Sequence, residues 1–311
     1  MSAQTRRTVL GASLTAGLSA AGVAVSCSGD KSPERNWIDA HVHVWTPDQQ
    51  AYPISPNFSE KEMEPASFQP AELFAEQKGS GVSRTVLIQM SFYEFDNRYM
   101  LDSMAKYPGR FGGVAIVDAE TEGVAQTMKD LGAQGVRGFR LYAFPDRVKD
   151  WEASKGIQAM WKTGGEEGLA MCCLTDPASL PVIHRMCQAY PETRVVIDHF
   201  ARIGLQGEVD QAVLDQLLAM ADFPNTYLKT SAFYALGKKT PPYTDLADMY
   251  RQVRDAFGSE RLMWGSDCPY QVQGEHTYDA SLSLVTDELD FLTEQDKENI
   301  LRNTAEKLFF S

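Results

Sequence analysis

From residue 37 onward, short apolar runs alternate with amphipathic stretches to the end of the chain. The first run, Trp37-Ile38-Asp39-Ala40-His41-Val42-His43-Val44-Trp45, repeats every two residues. Ile38, Ala40, Val42 and Val44 fall on one side, Asp39, His41 and His43 on the other, which predicts a strand. Seven further strand-like runs lie at residues 84–90, 111–117, 135–142, 169–175, 194–199, 226–231 and 261–267. Helical patterns stand between them, for example over 99–107, 156–167, 178–190, 208–221 and 245–257, often bounded by proline or glycine as at Pro108-Gly109, Pro191 and Pro224. A last helix is announced by the capping box Thr293-x-x-Asp296 and the apolar stripe of Ile300, Leu301, Ala305 and Leu308. Eight strands alternating with helices over residues 37–311 predict an α/β fold, a single-domain (β/α)8 TIM barrel. The alternative, an open doubly wound sheet, needs no eighth strand, and no Gly-rich dinucleotide loop supports it.

The first 27 residues have another character. Thr5-Arg6-Arg7-Thr8-Val9-Leu10 resembles the core of a twin-arginine export signal, and an Ala/Gly-rich apolar run follows. That run has few large apolar residues and makes a weak membrane span. Ala24-Val25-Ser26-Cys27 resembles a lipobox in which Cys27 is lipidated; a plain cleaved signal is the alternative. The expected organisation is therefore an export signal at 1–27, a polar tether at 28–36 and the barrel at 37–311. The expected location is the periplasm, free or lipid-anchored at Cys27. The remaining cysteines, Cys172, Cys173, Cys187 and Cys268, show no disulfide-scaffold spacing and are expected as free thiols. A net charge of −13 argues against nucleic acid as a partner, while a few local arginines can still bind an anionic small molecule.

A barrel of this kind carries its active site at the C-terminal ends of the strands. Those ends supply His41 and His43 (first strand), Arg140 and Tyr142 (fourth), Asp198 and His199 (sixth), Lys229 (seventh) and Asp267 (eighth). Three of the five histidines fall there; His184, within a helix, and His276, in a late loop, are read as structural or surface residues. Three imidazoles and a carboxylate can hold a divalent metal, zinc being the expected ion, with His41, His43 and Asp267 as ligands and His199 near. The same groups can also act directly, the histidines polarising a carbonyl and Asp267 taking a proton from water.

Ile38-Asp39-Ala40-His41-Val42-His43-Val44-Trp45, Val196-Ile197-Asp198-His199 and Met263-Trp264-Gly265-Ser266-Asp267-Cys268-Pro269 resemble the amidohydrolase-related family of TIM-barrel hydrolases. Gly135-Val136-Arg137-Gly138-Phe139-Arg140 and the closing Asn303-Thr304-Ala305-Glu306-Lys307-Leu308 are similar to its pattern too. Trp45 directly after the histidine pair is similar to the branch that holds sugar-acid lactonases and pyrone-dicarboxylate lactonase. The resemblance implies His41, His43, His199 and Asp267 as catalytic residues, with Asp267 the general base. It implies a substrate-anion contact at Arg140 and matches Lys229 to a family lysine; Arg140 and Lys229 are expected to bind the substrate's polar end, and Tyr142 is a pocket candidate. Two departures bear on metal. The fifth strand, Leu169-Ala170-Met171-Cys172-Cys173-Leu174-Thr175, ends without a histidine, and Arg140-Leu141-Tyr142 stands where a bridging lysine is often found. A two-metal centre is therefore not expected, and one divalent metal or none are both left open, with Cys172 or Cys173 a remote thiolate ligand.

The expected function is hydrolysis of a cyclic ester, a lactone of a sugar acid or related carboxylate, in a pocket walled by aromatics from residues 45–68 and 92–95. The alternatives are a metal-dependent decarboxylase or hydratase of the same family, and an exported binding protein without catalysis.

Overall fold

The computed structural model describes residues 35–311. The export signal, the lipidation site at Cys27 and nearly all of the tether lie outside the described residues. Eight strands run in chain order: β1 (Trp37–Val42), β2 (Val82–Ile88), β3 (Phe111–Ala115), β4 (Val136–Ala143), β5 (Ala170–Thr175), β6 (Val195–Ile197), β7 (Thr226–Ser231) and β8 (Leu262–Gly265). Every neighbouring pair is parallel. The ring closes between β1 and β8: the Asp267 amide donates to the His41 carbonyl at 2.8 Å, and the His43 amide to the Cys268 carbonyl at 2.9 Å. This is the expected TIM barrel, with each strand within about two residues of its sequence position.

The helices are α1 (Pro70–Glu76), α2 (Arg98–Lys106), α3 (Val124–Ala133), α4 (Pro145–Val148), α5 (Lys155–Glu167), α6 (Leu180–Ala189), α7 (Gln211–Leu218), α8 (Ala247–Phe257), α9 (Tyr278–Ser283), α10 (Glu294–Glu298) and α11 (Thr304–Phe309). The Thr293–Asp296 capping box forms at the start of α10. Inside the barrel, Ile38, Ala40, Val86, Ile88, Val114, Val196 and Met263 pack together, and Leu308 and Phe309 of α11 close that core. Phe309 sits at the strand N-termini, its carbonyl so near Gly112 that a Cβ there would lie 2.8 Å away. The apolar floor is thus at one end, and the polar side chains gather at the other.

The alternation in β1 does not run straight through. Asp39 pairs with Thr85 and Val42 with Leu87, three steps on β1 against two on β2. That extra residue is a bulge, and a bulge reverses which side chains face inward. Before it, Ile38 and Ala40 face the interior; after it, Val42 joins the outer apolar layer while His41 and His43 turn inward. Asp39, expected beside the histidines, instead faces outward. Its Oδ1 accepts the Ser266 amide at 2.9 Å and the His41 amide at 3.2 Å, and its Oδ2 accepts the Tyr278 hydroxyl at 2.8 Å. Burial pushes the Asp39 carboxyl up to about 6 despite these donors.

The bulge brings His41 hard against β8. A Cβ on Gly265 would lie 2.8 Å from the His41 Cβ and 3.0 Å from its amide nitrogen. Neither contact is to a flexible tip, so the backbones must separate to admit it. Gly265→Ala is expected to cost about 1–3 kcal/mol, as overpacked sites do, read as a lowered denaturant midpoint. An unchanged midpoint contradicts this packing of β1 on β8.

Candidate active site

At the C-terminal end of the strands the structure brings together the four residues that the sequence singled out. His41 Nε2 lies 3.3 Å from His43 Nε2, and Asp267 Oδ1 lies 3.5 Å from each. His199 Nε2 stands 3.9 Å from Asp267 Oδ2, and the His41 and His199 rings are 4.4 Å apart. All four are buried, with His43, His199 and Asp267 each 5 % exposed and His41 wholly enclosed. His43, His199 and Asp267 open onto a cavity of about 350 Å³ that Arg140, Tyr142, Phe144, Arg202, Tyr234 and Tyr270 also line.

Backbone strain aims two of these groups. His199, Phe200, Ala201 and Arg202 follow one another at φ 54°, 51°, 52° and 61°, a left-handed turn made without glycine. Each such residue costs roughly 1–2 kcal/mol. Asp267 is also left-handed, at φ 64°. Strain of this kind collects where function requires a side-chain direction that a relaxed chain does not give. Here it turns His199 into the cavity, where Ser231 Oγ holds its Nδ1 at 2.8 Å.

The protonation states follow from the surroundings. Burial holds His41 well below the usual histidine range, and the Lys229 charge adds to it. Burial lowers His199 as well, against the pull of Asp267 and Asp198 and with the push of Arg140 and Lys229. Burial alone would raise the Asp267 carboxyl, but the imidazoles of His199, His43 and His41 outweigh it and keep it below the usual carboxylate range. At neutral pH the centre therefore holds neutral His41 and His199 imidazoles beside an ionised Asp267. The Tyr234 hydroxyl donates to Asp267 Oδ2 at 2.7 Å, which leaves Oδ1 to His41 and His43. Burial and the Asp267 charge push the Tyr234 phenol well above its ordinary value, so it is a fixed donor.

The same donor set suits a metal. His41 Nε2, His43 Nε2 and Asp267 Oδ1 form a nearly equilateral triangle, 3.3, 3.5 and 3.5 Å on its sides. Ligands about 2.0–2.2 Å from a tetrahedral zinc stand about 3.3–3.6 Å from one another. The Ile88 carbonyl accepts from His43 Nδ1 at 2.9 Å, which fixes the tautomer and leaves the Nε2 lone pair facing the triangle. His41 is held differently. Its Nδ1 is 3.3 Å from Lys229 Nζ and 3.6 Å from Asp198 Oδ1. A proton on Nδ1 toward Asp198 frees Nε2 as a ligand; a hydrogen bond from Lys229 to Nδ1 makes Nε2–H a donor instead.

Lys229 does not reach the substrate cavity. It is wholly buried behind His41, 3.1 Å from Asp198 Oδ1, with its ammonium over the Phe309 ring. The expectation that it binds substrate is corrected to a role behind the histidine, because its inward-facing position on β7 lies below the strand ends. Neither Asp198 oxygen has a well-directed hydrogen bond, so the pair is held by charge. Burial would raise the Asp198 carboxyl, yet Lys229 and His41 hold it well below the usual range.

Arg140 and Tyr142 do line the cavity, as expected. Arg140 is buried, its guanidinium 5.5 Å from the Tyr142 ring; its Nε has no hydrogen-bond partner, and no carboxylate pairs with it among the described residues. The aromatic wall of this cavity differs from expectation, although Phe58 and Phe95 of the expected stretches line the space adjoining it. Tyr142, Phe144, Tyr234 and Tyr270 form the wall, whereas Trp45 is enclosed, donating to the Pro65 carbonyl and packing behind Tyr270. Cys172 and Cys173 are fully buried free thiols, which burial pushes up to about 12 for Cys172 and well above its ordinary value for Cys173, and neither stands in a candidate ligand group among the described residues. His184 packs on Phe223, and His276 Nδ1 meets the Tyr243 hydroxyl at 2.9 Å, both outside the central group. Sequence reasoning missed Tyr234, Tyr270 and Arg202. Tyr234, three residues past β7, and Arg202, three past His199, were open to the same strand-end logic.

Residues 38–310 match the amidohydrolase family. An L-fucono-1,5-lactonase of Burkholderia ambifaria is 29% identical over 245 residues, 75% of this chain and 80% of that protein. A 2-pyrone-4,6-dicarboxylate hydrolase of Comamonas testosteroni is 27% identical over 255 residues, 79% of this chain and 80% of that one. Among solved structures, one described as a 2-pyrone-4,6-dicarboxylic acid hydrolase of Pseudomonas putida superposes with a TM-score of 0.74 at 27% identity, covering 88% of this chain and 97% of the other.

The place of Lys229 has a consequence for stability. Lys229→Met strands the buried Asp198 charge and is expected to cost about 3–5 kcal/mol. Lys229→Met with Asp198→Asn, which removes both charges, should recover much of it. Denaturation of the two variants checks this; equal losses in both would show that the ion pair is not what Lys229 contributes.

Proposed function

The chain belongs to the amidohydrolase family, and we propose that this enzyme hydrolyses the ester bond of a small lactone bearing a carboxylate. The observation that carries the proposal is an ionised Asp267 set among three imidazoles at the end of a cavity whose one buried arginine has no carboxylate partner. The similarity to an L-fucono-1,5-lactonase and to a 2-pyrone-4,6-dicarboxylate hydrolase supports it.

In this reading the planar Arg140 guanidinium receives the substrate carboxylate. That places the ring ester among His41, His43 and His199; the His41 and His199 N–H groups polarise its carbonyl, while His43, whose proton is held by the Ile88 carbonyl, turns its Nε2 lone pair to the centre. Asp267 takes the proton of the attacking water, the water oxygen bonds to the carbonyl carbon, and the ring C–O bond breaks. The ring oxygen leaves with a proton, and the product is the open hydroxy acid. Tyr234 positions Asp267, and Lys229 with Asp198 positions His41. His41, His43 and Asp267 are the residues that would hold a divalent ion, zinc being the expected one, and such an ion supplies Lewis-acid polarisation and a more acidic water.

Three outcomes test this. On a panel of carboxylated lactones followed by acid release, Asp267→Asn should lower kcat by a factor of roughly 10² or more while a bound hydroxy acid is still held. Tyr234→Phe should lower kcat by about 10-fold, the worth of one hydrogen bond to a charged group, with little change in thermal midpoint. The kcat/KM profile should be level from about pH 6.5 to 8.5, since His41, His199 and Asp267 all titrate below their ordinary values, and should fall only on the acid side. Carbon dioxide release in place of ring opening, or full activity in Asp267→Asn, overturns the assignment.

A further inference from the structure

A second compartment opens beside the catalytic cavity. It measures about 520 Å³, against about 350 Å³ for the cavity itself. The two share Ser91, Arg140, Tyr142 and Phe144, so they adjoin one another at the arginine. Small-molecule sites usually span about 300–1,000 Å³. The inner cavity alone suits a single lactone ring, and the pair together suits a longer molecule.

The outer compartment differs in chemistry from the inner one. Its back is apolar and buried, formed by Ile116, Leu141, Trp151 and Ile157. Gly156, beside this wall, packs so tightly on the Ala119 carbonyl that no Cβ fits, which keeps the wall stiff. Across the opening stands Phe95, 53% exposed and the only exposed large apolar side chain among the described residues. It is not left loose. Gln89 Nε2 donates to the carbonyls of Glu94 and Asp96 at 3.3 and 2.8 Å, and Asn97 Nδ2 to the carbonyl of Phe95 at 3.0 Å. Ser55 and Asn57 hold the Glu94 carboxylate, and Glu94 itself adopts φ 44°. Exposing a phenyl ring on a rigid loop forgoes its burial free energy until something covers it, and a contact fixed in advance binds at lower entropic cost. The rim is acidic: Glu94, Asp118, Glu120 and Asp150 outnumber Arg147. An anion is therefore welcome at Arg140 and unwelcome farther out.

We propose that the substrate is a lactone acid with an uncharged apolar substituent, aryl or alkyl, which lies between Phe95 and the Trp151 wall while its carboxylate meets Arg140. This rests on the reading of the inner cavity as a lactone-hydrolysing site. The outer compartment is then a specificity site that selects larger lactones over bare sugar-acid rings.

Two measurements on the full enzyme test it. The first compares kcat/KM for matched lactone acids, one bare and one carrying a phenylpropyl substituent. The substituted one should lead by roughly 10- to 50-fold, the effect expected for burying one phenyl ring, and Phe95→Ala should reduce that ratio roughly 3-fold or more. The second measures binding of 4-phenylbutyrate, butyrate and a ring-sulfonated 4-phenylbutyrate by tryptophan fluorescence. 4-Phenylbutyrate should bind at least 10-fold tighter than either, and Phe95→Ala should erase most of that margin. If lactones are hydrolysed with no preference for the substituent, and 4-phenylbutyrate binds no better than butyrate, the compartment proposal is overturned and the hydrolase reading stands. If no lactone is opened yet the 4-phenylbutyrate margin appears and depends on Phe95, the hydrolase reading falls while the apolar site is real.

Discussion

The structure depends on how β1 meets β8. These strands carry His41, His43 and Asp267, so the error in their alignment is the error in the site. Three features fix it. The bulge at Ala40–His41 turns two imidazoles inward from a strand that would otherwise point them at the helices. Gly265 lets the two backbones approach to a distance that no side chain would allow. Asp39, buried on the outer side, ties the Ser266 and His41 amides and the Tyr278 hydroxyl to one carboxylate. Burying that carboxyl is unfavourable, as its raised proton affinity records. The joint is retained at that cost, and Asp267 stands one residue beyond Ser266.

Much of this was legible in the sequence. Parallel strands covered on both faces read as near-continuous apolar runs, and helices between them as amphipathic ones, so eight strands could be counted and placed. Strand-end logic then gathered His41, His43, His199 and Asp267 from positions as far apart as 226 residues, the separation of His41 and Asp267. What stayed hidden has a common cause. A bulge made by Ala40 and His41 carries no glycine or proline to announce it, so simple alternation put Asp39 with the histidines. The left-handed turn at His199–Arg202 is equally silent, because it contains no glycine or asparagine to mark it. Lys229 was assigned by its type rather than its depth, and period-two patterning gives facing but no height along the barrel axis. The pocket aromatics come from loops, where the path of the chain decides which ring faces in.

The charges of the centre explain why an anion is the fitting guest. Lys229 and Asp198 cancel behind His41, and the Arg202–Asp176 pair at 2.8 Å cancels near the mouth. Asp267 is left facing the imidazoles and Arg140 is left facing the cavity. Arg140 is one of the charges that keep His199 neutral. A carboxylate seated on Arg140 neutralises that charge and so raises the proton affinity of His199. On the proposed reading, a lactone without the acid group leaves the Arg140 charge uncompensated beside His199 and forgoes the seat that the guanidinium offers.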